Sequence, residues 1–152
     1  MRRVGRELAH TSQQVNRALD ACISATVSPE LTGMRGMALR YIVCHTRRGE
    51  AVYQRDMERC FRVRRSSITA MLKGVEQAGF ITRTPVAQDA RLKSLAATEK
   101  GLACYDQLER CITAFEERLQ QDVSETELQQ LQSILEKLLH NATAVQNAPY
   151  IE

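Results

Sequence analysis

Most of this chain is written in a helical period, and one long stretch is not. From Phe80 to Ala96, FITRTPVAQDARLKSLA, two runs, Phe80–Thr84 and Leu92–Ala96, have β-branched and alternating character. Alternation sends every second side chain to the same face, which is the pattern of a half-buried strand. The residues between the runs, Pro85 to Arg91, are polar and basic and include a turn-forming proline, so the two runs read as a β-hairpin. A single hairpin among helical segments leaves few folds open.

Two short helical segments stand directly before it. QRDMERCF reads as a helix with Met57, Cys60 and Phe61 inward, and Ala51 to Tyr53 ahead of it as a very short strand. After two residues a second helix begins near Arg64, buries Ile68, Met71, Leu72 and Val75, and ends at Gly79, a usual C-terminal cap. Two short helices on a tight turn make a helix-turn-helix, and a hairpin appended to it makes a wing. The expected fold class is mainly α with a small β-hairpin wing, a winged helix-turn-helix with flanking dimerisation helices.

The flanks carry the helical stripes. Val4–Val27 places Leu8, Val15, Leu19, Cys22 and Ile23 near one face, and SPEL then breaks the helix at Pro29. Thr32–Thr46 follows with Met34, Met37, Ala38, Tyr41 and Ile42 as its apolar positions. Gly33 and Gly36 each weaken that helix by roughly 1 kcal/mol relative to alanine, so packing must hold it. After the hairpin, Thr98 is an N-cap for a stripe of Leu102, Tyr105, Leu108, Cys111/Ile112, Phe115 and Leu119. SETE, Ser124 to Glu127, is a capping box for a last helix with Leu128, Leu131, Ile134/Leu135 and Leu138. These faces are expected to pack on the first helix and on a second copy, giving a two-fold homodimer. The organisation expected is one unit over 1–152, with a winged lobe at 47–97 and helical dimerisation regions at 1–30 and 98–146.

Charge is distributed unevenly. Residues 47–93 carry eleven Arg/Lys against five Asp/Glu, whereas residues 94–152 carry four against ten. A basic middle third is the footprint of a nucleic-acid surface, and the acidic tail reads as a solvated scaffold. Within that third, burial of Ile68, Leu72 and Val75 turns Arg65, Ser66, Thr69, Ala70 and Lys73 outward. Arginines at a helix start face the positive end of its dipole, an arrangement that calls for an anion just beyond. Small hydroxyl residues allow close approach to base edges, Thr and Ala can touch a thymine methyl, and Arg can read guanine. On the hairpin, Asp89 stands two residues before Arg91, so on an extended strand both project to one side and the carboxylate can orient the guanidinium. An arginine so held suits a narrow minor groove.

The stretch VRRSSITAMLKGVEQAGFITRTPVAQDARLKSLAATEKG, Val63 to Gly101, resembles the winged helix-turn-helix core of the MarR family of bacterial transcriptional regulators. The matching pieces are the serine- and threonine-rich helix start, the L-x-x-x-E-x-x-G-[FLI]-I-x-R run from Leu72 to Arg83, the wing D-x-R at Asp89 and Arg91, and T-E-K-G at Thr98 to Gly101. The flanking helices, with LT at Leu31 and Thr32, stand where that family dimerises. The resemblance implies a homodimer, a repressor by expectation, on a pseudo-palindromic operator of double-stranded DNA. Recognition helices then enter successive major grooves and wings the flanking minor grooves. It places Arg64, Arg65, Ser66, Ser67, Thr69 and Lys73 at the major groove or its phosphates, and Arg91, held by Asp89, in the minor groove. Arg83 and Lys93 become phosphate or structural contacts. It also implies a small aromatic or phenolic effector between the dimer helices and the DNA-binding lobe, with Arg35, Tyr41 and His45 as candidates to line its pocket.

Four positions depart from the family pattern. Arg64 stands at a usually small N-cap, Arg62 where the turn often has glycine, Arg35 in place of a frequent glutamine, and Ala97 in place of a leucine. One branch of the family senses peroxides through a first-helix cysteine, which makes Cys22 the redox candidate, although DACISATV lacks that branch's tyrosine-rich setting.

Other classes find less support. Five cysteines, an odd number with no C-x-x-C pair, argue against a disulfide framework or zinc knuckle. His10, His45 and His140 lie far apart and no nucleophile or phosphate-loop motif occurs, so neither an enzyme nor a bound metal or other cofactor is expected. With no apolar run of about 18 residues and no secretory signal, a cytoplasmic protein without membrane contact is expected. The rival readings are a thiol-based redox-sensing regulator and a helical interaction module that does not bind DNA.

Overall fold

The computed structural model describes residues 3–87 and 89–147, without the side chains of residues 89–91 and 147. The chain forms two compact units, Met1–Glu116 and Glu117–Glu152. In order, the elements are α1 (Val4–Thr26), a short 3-10 turn (Pro29–Leu31), α2 (Met34–Arg47), β1 (Val52–Tyr53), α3 (Gln54–Phe61), α4 (Arg65–Gln77), β2 (Ile81–Val86), β3 (Asp89–Ala97), α5 (Glu99–Leu119) and α6 (Glu125–Asn147). The mainly helical class with a small β wing is as expected. Among the described residues, no helix is long and apolar enough to cross a membrane.

One core organises the first unit. Ile23 of α1, Leu31 of the turn, Leu39, Ile42 and Val43 of α2, Met57 of α3, Ile68, Leu72 and Val75 of α4, Phe80 and Ile81, Leu95 of β3 and Leu108 of α5 are all buried in it. On α4 the buried set is Ile68, Met71, Leu72 and Val75, the four expected from the sequence.

The inward face of α2 is rotated from the expected stripe. Gly36, Ala38, Leu39, Ile42 and Val43 are buried, Tyr41 and Met34 are half-buried, and Met37 is 52% exposed. The cause is Gly36, where a methyl group would stand 2.3 Å from the Leu31 carbonyl oxygen. The helix turns its glycine to the preceding segment, and the residues on either side of Gly36 rotate with it. Gly33 lies outside the helix as its N-cap, at φ 57°, and its N–H donates to Asp20 at 2.7 Å.

Three further expectations are corrected. Cys60 is exposed, because Met57 and the half-buried Phe61, one turn apart, already occupy the inward side of the two-turn α3. Leu102 is exposed too, since α5 turns Gly101, Tyr105, Leu108 and Cys111 inward, and Leu119, though on the same face as Gly101 and Leu108, is exposed at the end of α5 that belongs to the second unit. Finally the hairpin strands run further than the alternation suggested, and Pro85 belongs to β2. The sheet order β1-β3-β2 makes β2 an edge, where a residue without an N–H is tolerated, and the register shifts between Pro85 and Val86. The short β1 completes the sheet on the other side of β3, with Val52 opposite Leu95.

The two halves of the lobe meet at Phe80. The Thr98 N–H donates to the Phe80 carbonyl at 3.0 Å, and the Thr98 hydroxyl donates to the Gly79 carbonyl at 2.6 Å. The same hydroxyl accepts from the Gly101 N–H at 3.0 Å and so caps α5 as expected. A methyl group at Gly101 would lie 2.0 Å from the Phe80 carbonyl oxygen.

In the second unit, α6 opens with the expected capping box. The Ser124 N–H donates to Glu127 Oε2 at 2.8 Å and the Glu127 N–H to Ser124 Oγ at 3.3 Å. Its Leu131, Ile134, Leu135 and Leu139 are exposed.

Gly101→Ala is expected to destabilise the protein by about 2–4 kcal/mol, because backbone stands in the way and cannot yield as a flexible side chain would. Gly5→Ala in α1, where no atom lies within 4 Å, is the control and should stabilise by up to about 1 kcal/mol. Urea midpoints of the two variants check this; equal midpoints would show that the approach at Phe80 is not constrained.

Candidate nucleic-acid interface

The helix-turn-helix is α3 and α4. The Tyr53 N–H donates to Asp56 at 2.9 Å at the start of α3. The turn then passes through Arg62 in the left-handed region, φ 50°, ψ 39°, which costs a side-chain-bearing residue about 1–2 kcal/mol. A glycine would be free of that cost, so the departure noted at Arg62 is a real one.

Arg64 is the N-cap of α4, extended at φ −61°, ψ 143°, with no hydrogen bond from its side chain to the helix start. Its carbonyl accepts from the Ser67 N–H at 2.9 Å and the Ile68 N–H at 3.2 Å, so the helix begins on backbone alone. No acidic residue lies in the first turn. Arg64, Arg65, Ser66, Ser67, Thr69 and Lys73 are all exposed on one lobe, as expected from the burial of the opposite face.

Ion pairs separate the cations of this region. Arg83 is only 15% exposed and holds Glu76 of α4 through Nε at 2.7 Å and a terminal nitrogen at 2.5 Å. It ties β2 to α4. Arg65 is 83% exposed, with Glu58 of α3 at 3.9 Å. Arg62, Arg64 and Lys73 have no acidic partner among the described residues. Lys93 is exposed on β3 opposite Pro85. The side chains of Asp89 and Arg91 lie outside those described; their backbone belongs to β3. A groove of about 440 Å³ runs between α3, α4 and the wing, lined by Gln54, Arg55, Glu58, Arg65, Thr69, Arg83, Leu92 and Lys93.

Its α3 residues escaped the sequence reading. Gln54 and Glu58 of α3 reach the exposed face of α4: Gln54 Nε2 donates to Thr69 Oγ1 at 2.8 Å and to Glu58 Oε1 at 3.0 Å. The only trace in the sequence is their spacing of four on a helix, which leaves them on one face.

The candidate effector residues are not brought together. The rings of Tyr41 and His45 pack with centroids 4.1 Å apart, tilted by 36°, and line a groove of about 500 Å³ with Glu50, Asp56 and Cys60. The His45 contact holds the Glu50 carboxyl below its usual range. Arg35 points elsewhere, its guanidinium lying 3.2 Å from where a methyl at Gly74 of α4 would stand. Cys22 is half-buried on α1, its thiol packed against the core.

A recognition helix docked by its apolar face, preceded by a tight turn and followed by a three-stranded wing, defines a winged helix-turn-helix protein. Residues 42–93, which span the helix-turn-helix and most of the wing, match the model of the MarR family. Solved structures share the fold over nearly the whole chain. The S. aureus MepR–DNA complex is 21% identical, with 93% of this chain and 99% of that chain covered at a TM-score of 0.81. The transcriptional regulator SlyA is 24% identical, with 98% and 100% covered at 0.74. The transcriptional repressor CouR, bound to a 23-mer DNA duplex, is 22% identical, with 89% and 91% covered at 0.76.

The Arg83 hydrogen bond holds the Glu76 carboxyl below the usual carboxylate range. A lowered folded pKa contributes stability that is present above the unfolded value, about 4.3, and is lost as pH falls through the folded value. The stability gap between wild type and Glu76→Gln should therefore be open at neutral pH and close as the carboxyl is protonated. Urea midpoints across that range check it; a gap independent of pH would assign the effect to packing.

Proposed function

We propose that this protein is a sequence-specific DNA-binding transcriptional regulator that acts as a homodimer on a pseudo-palindromic operator, with repression as its mode. The observation that carries the reading is the start of α4, where Arg64 and Arg65 stand exposed at a helix N-terminus with no acid in the first turn and no side-chain cap. That end of the helix gathers positive charge with its dipole and offers orphan N–H groups beside it, an arrangement matched by phosphate. The hydroxyl face of Ser66, Ser67 and Thr69 continues from it, small enough to enter a major groove. DNA complexes of MepR and CouR, which share the fold, support the same reading.

Homodimerisation is supported by the exposed leucines and isoleucine of α6, a stripe whose burial is worth about 25 cal/mol per Å². In such a dimer the half-sites lie about 34–36 Å apart. Asp89 and Arg91 on the wing are assigned to the minor groove, and the Tyr41–His45 groove to a small aromatic or phenolic effector that shifts DNA affinity.

Affinity for a duplex selected from a random library should fall steeply with salt, because each neutralised phosphate adds about −0.9 to the slope of log K against log salt. Fluorescence anisotropy from low to physiological salt measures this, and a slope near zero would favour the helical interaction module. Arg64→Ser should reduce the slope by about 1 per protomer while raising folding stability by about 1 kcal/mol through the new cap. An unchanged slope would show that Arg64 contacts no phosphate.

A further inference from the structure

Thr69 stands in the middle of the exposed face of α4, yet its hydroxyl is already engaged. Oγ1 donates its one proton to the Arg65 carbonyl at 2.8 Å and accepts from Gln54 Nε2 at 2.8 Å. The second proton of that amide nitrogen goes to Glu58 Oε1 at 3.0 Å. The three bonds are mutually compatible. A carboxylate only accepts, and a hydroxyl whose proton is committed also only accepts, so both must take a proton from the amide nitrogen of Gln54.

This lattice limits what Thr69 can offer a base pair: its proton is committed, and a single lone pair is left for a donor such as adenine N6 or cytosine N4. Guanine N7 and O6, adenine N7 and thymine O4 are acceptors in the major groove, and the committed hydroxyl has no proton for them. Both hydroxyl partners also fix χ1, so the γ-methyl is the part of this exposed side chain left without a polar partner. The apolar feature on a major-groove edge is the C5-methyl of thymine.

Resting on the DNA-binding reading above, we propose that Thr69 reads a thymine methyl through its own methyl group. Gln54, from α3, is the positioning residue that holds the hydroxyl away. Arg65 and Lys73 lie four residues to either side of Thr69 and supply charge around an apolar contact.

Uracil in place of thymine removes the methyl and nothing else, which makes the test direct. Duplexes are selected from a random library with the full chain, and each thymine of the selected site is replaced singly by uracil. Anisotropy at fixed salt should find one position per half-site where uracil weakens binding about threefold to tenfold. Thr69→Ser should abolish that discrimination. Thr69→Val, which keeps a methyl but loses the tether to Gln54, should bind more weakly overall and still discriminate. Gln54→Ala should reduce discrimination at that position and leave the uracil sensitivity of other positions unchanged, an effect that general loosening of the fold would not produce. Circular dichroism establishes that each variant is folded. The assignment is overturned if uracil is silent at every position, or if Thr69→Ser discriminates as wild type does. Failure to enrich any sequence would instead remove the DNA-binding reading itself.

Discussion

The carbonyl of Phe80 is the point on which the arrangement of this lobe depends. It accepts the Thr98 N–H, and it stands so close to α5 that only a glycine fits at position 101. Around it, Gly79 at φ 79° ends α4, the Thr98 hydroxyl bonds the Gly79 carbonyl, and Lys100 Nζ donates to the Ala78 carbonyl at 2.6 Å. Lys100 also lies 4.4 Å from the centroid of the Phe80 ring. The end of the recognition helix, the start of β2, the end of β3 and the start of α5 are thus pinned within a few residues. Neither wing nor helix can reorient without breaking bonds at this junction. The angle between the two candidate DNA-contacting elements is accordingly a property of the fold.

The start of α4 is less favoured locally than its end. A left-handed Arg62 costs about 1–2 kcal/mol and the missing side-chain cap at Arg64 about 1 kcal/mol. Against this, Ile68, Leu72 and Val75 are fully buried, each worth about 1.5–3 kcal/mol. Burial wins, so tertiary packing holds a helix whose own terminus is poorly prepared. The freedom thus gained is chemical: the terminus can carry two arginines where stability alone would place a serine and a glycine.

What the sequence made legible follows the same physics. The buried face of α4 could be read because four apolar residues recur at helical spacing, and the caps at Thr98 and Ser124 because the required groups are local. The run ending in Gly79–Phe80–Ile81 and the later Thr98–Gly101 were separate motifs in the sequence, whereas in the fold they are two sides of one contact. The inward face of α2 was misjudged because a buried glycine carries no hydrophobic signal, though Gly36 sets the rotation of that helix. Pro85 reads as a turn residue, and only the position of β2 at a sheet edge admits it to a strand. Gln54 was illegible in another way, because its partner Thr69 is fifteen residues away and their bond exists only once α3 and α4 have packed.

Arg65 and Arg83 show how the surroundings, more than the residue type, divide these cations between fold and surface. Both face a glutamate across an element boundary. Arg83 is 15% exposed with two contacts of 2.5 and 2.7 Å to Glu76, so removing its partner would strand a largely desolvated charge. Arg65 is 83% exposed and 3.9 Å from Glu58, a pairing in the range of at most about 1 kcal/mol. A phosphate or a guanine edge offers Arg65 a shorter, bidentate pairing than it now has, and Glu58 keeps its bond from Gln54 when the arginine leaves. The exchange leaves no charge buried and the Gln54–Thr69 bond intact. Arg83 has no comparable route, since its release would uncouple β2 from α4. One arginine is therefore a strut between wing and helix, and the other is held loosely enough to change partners.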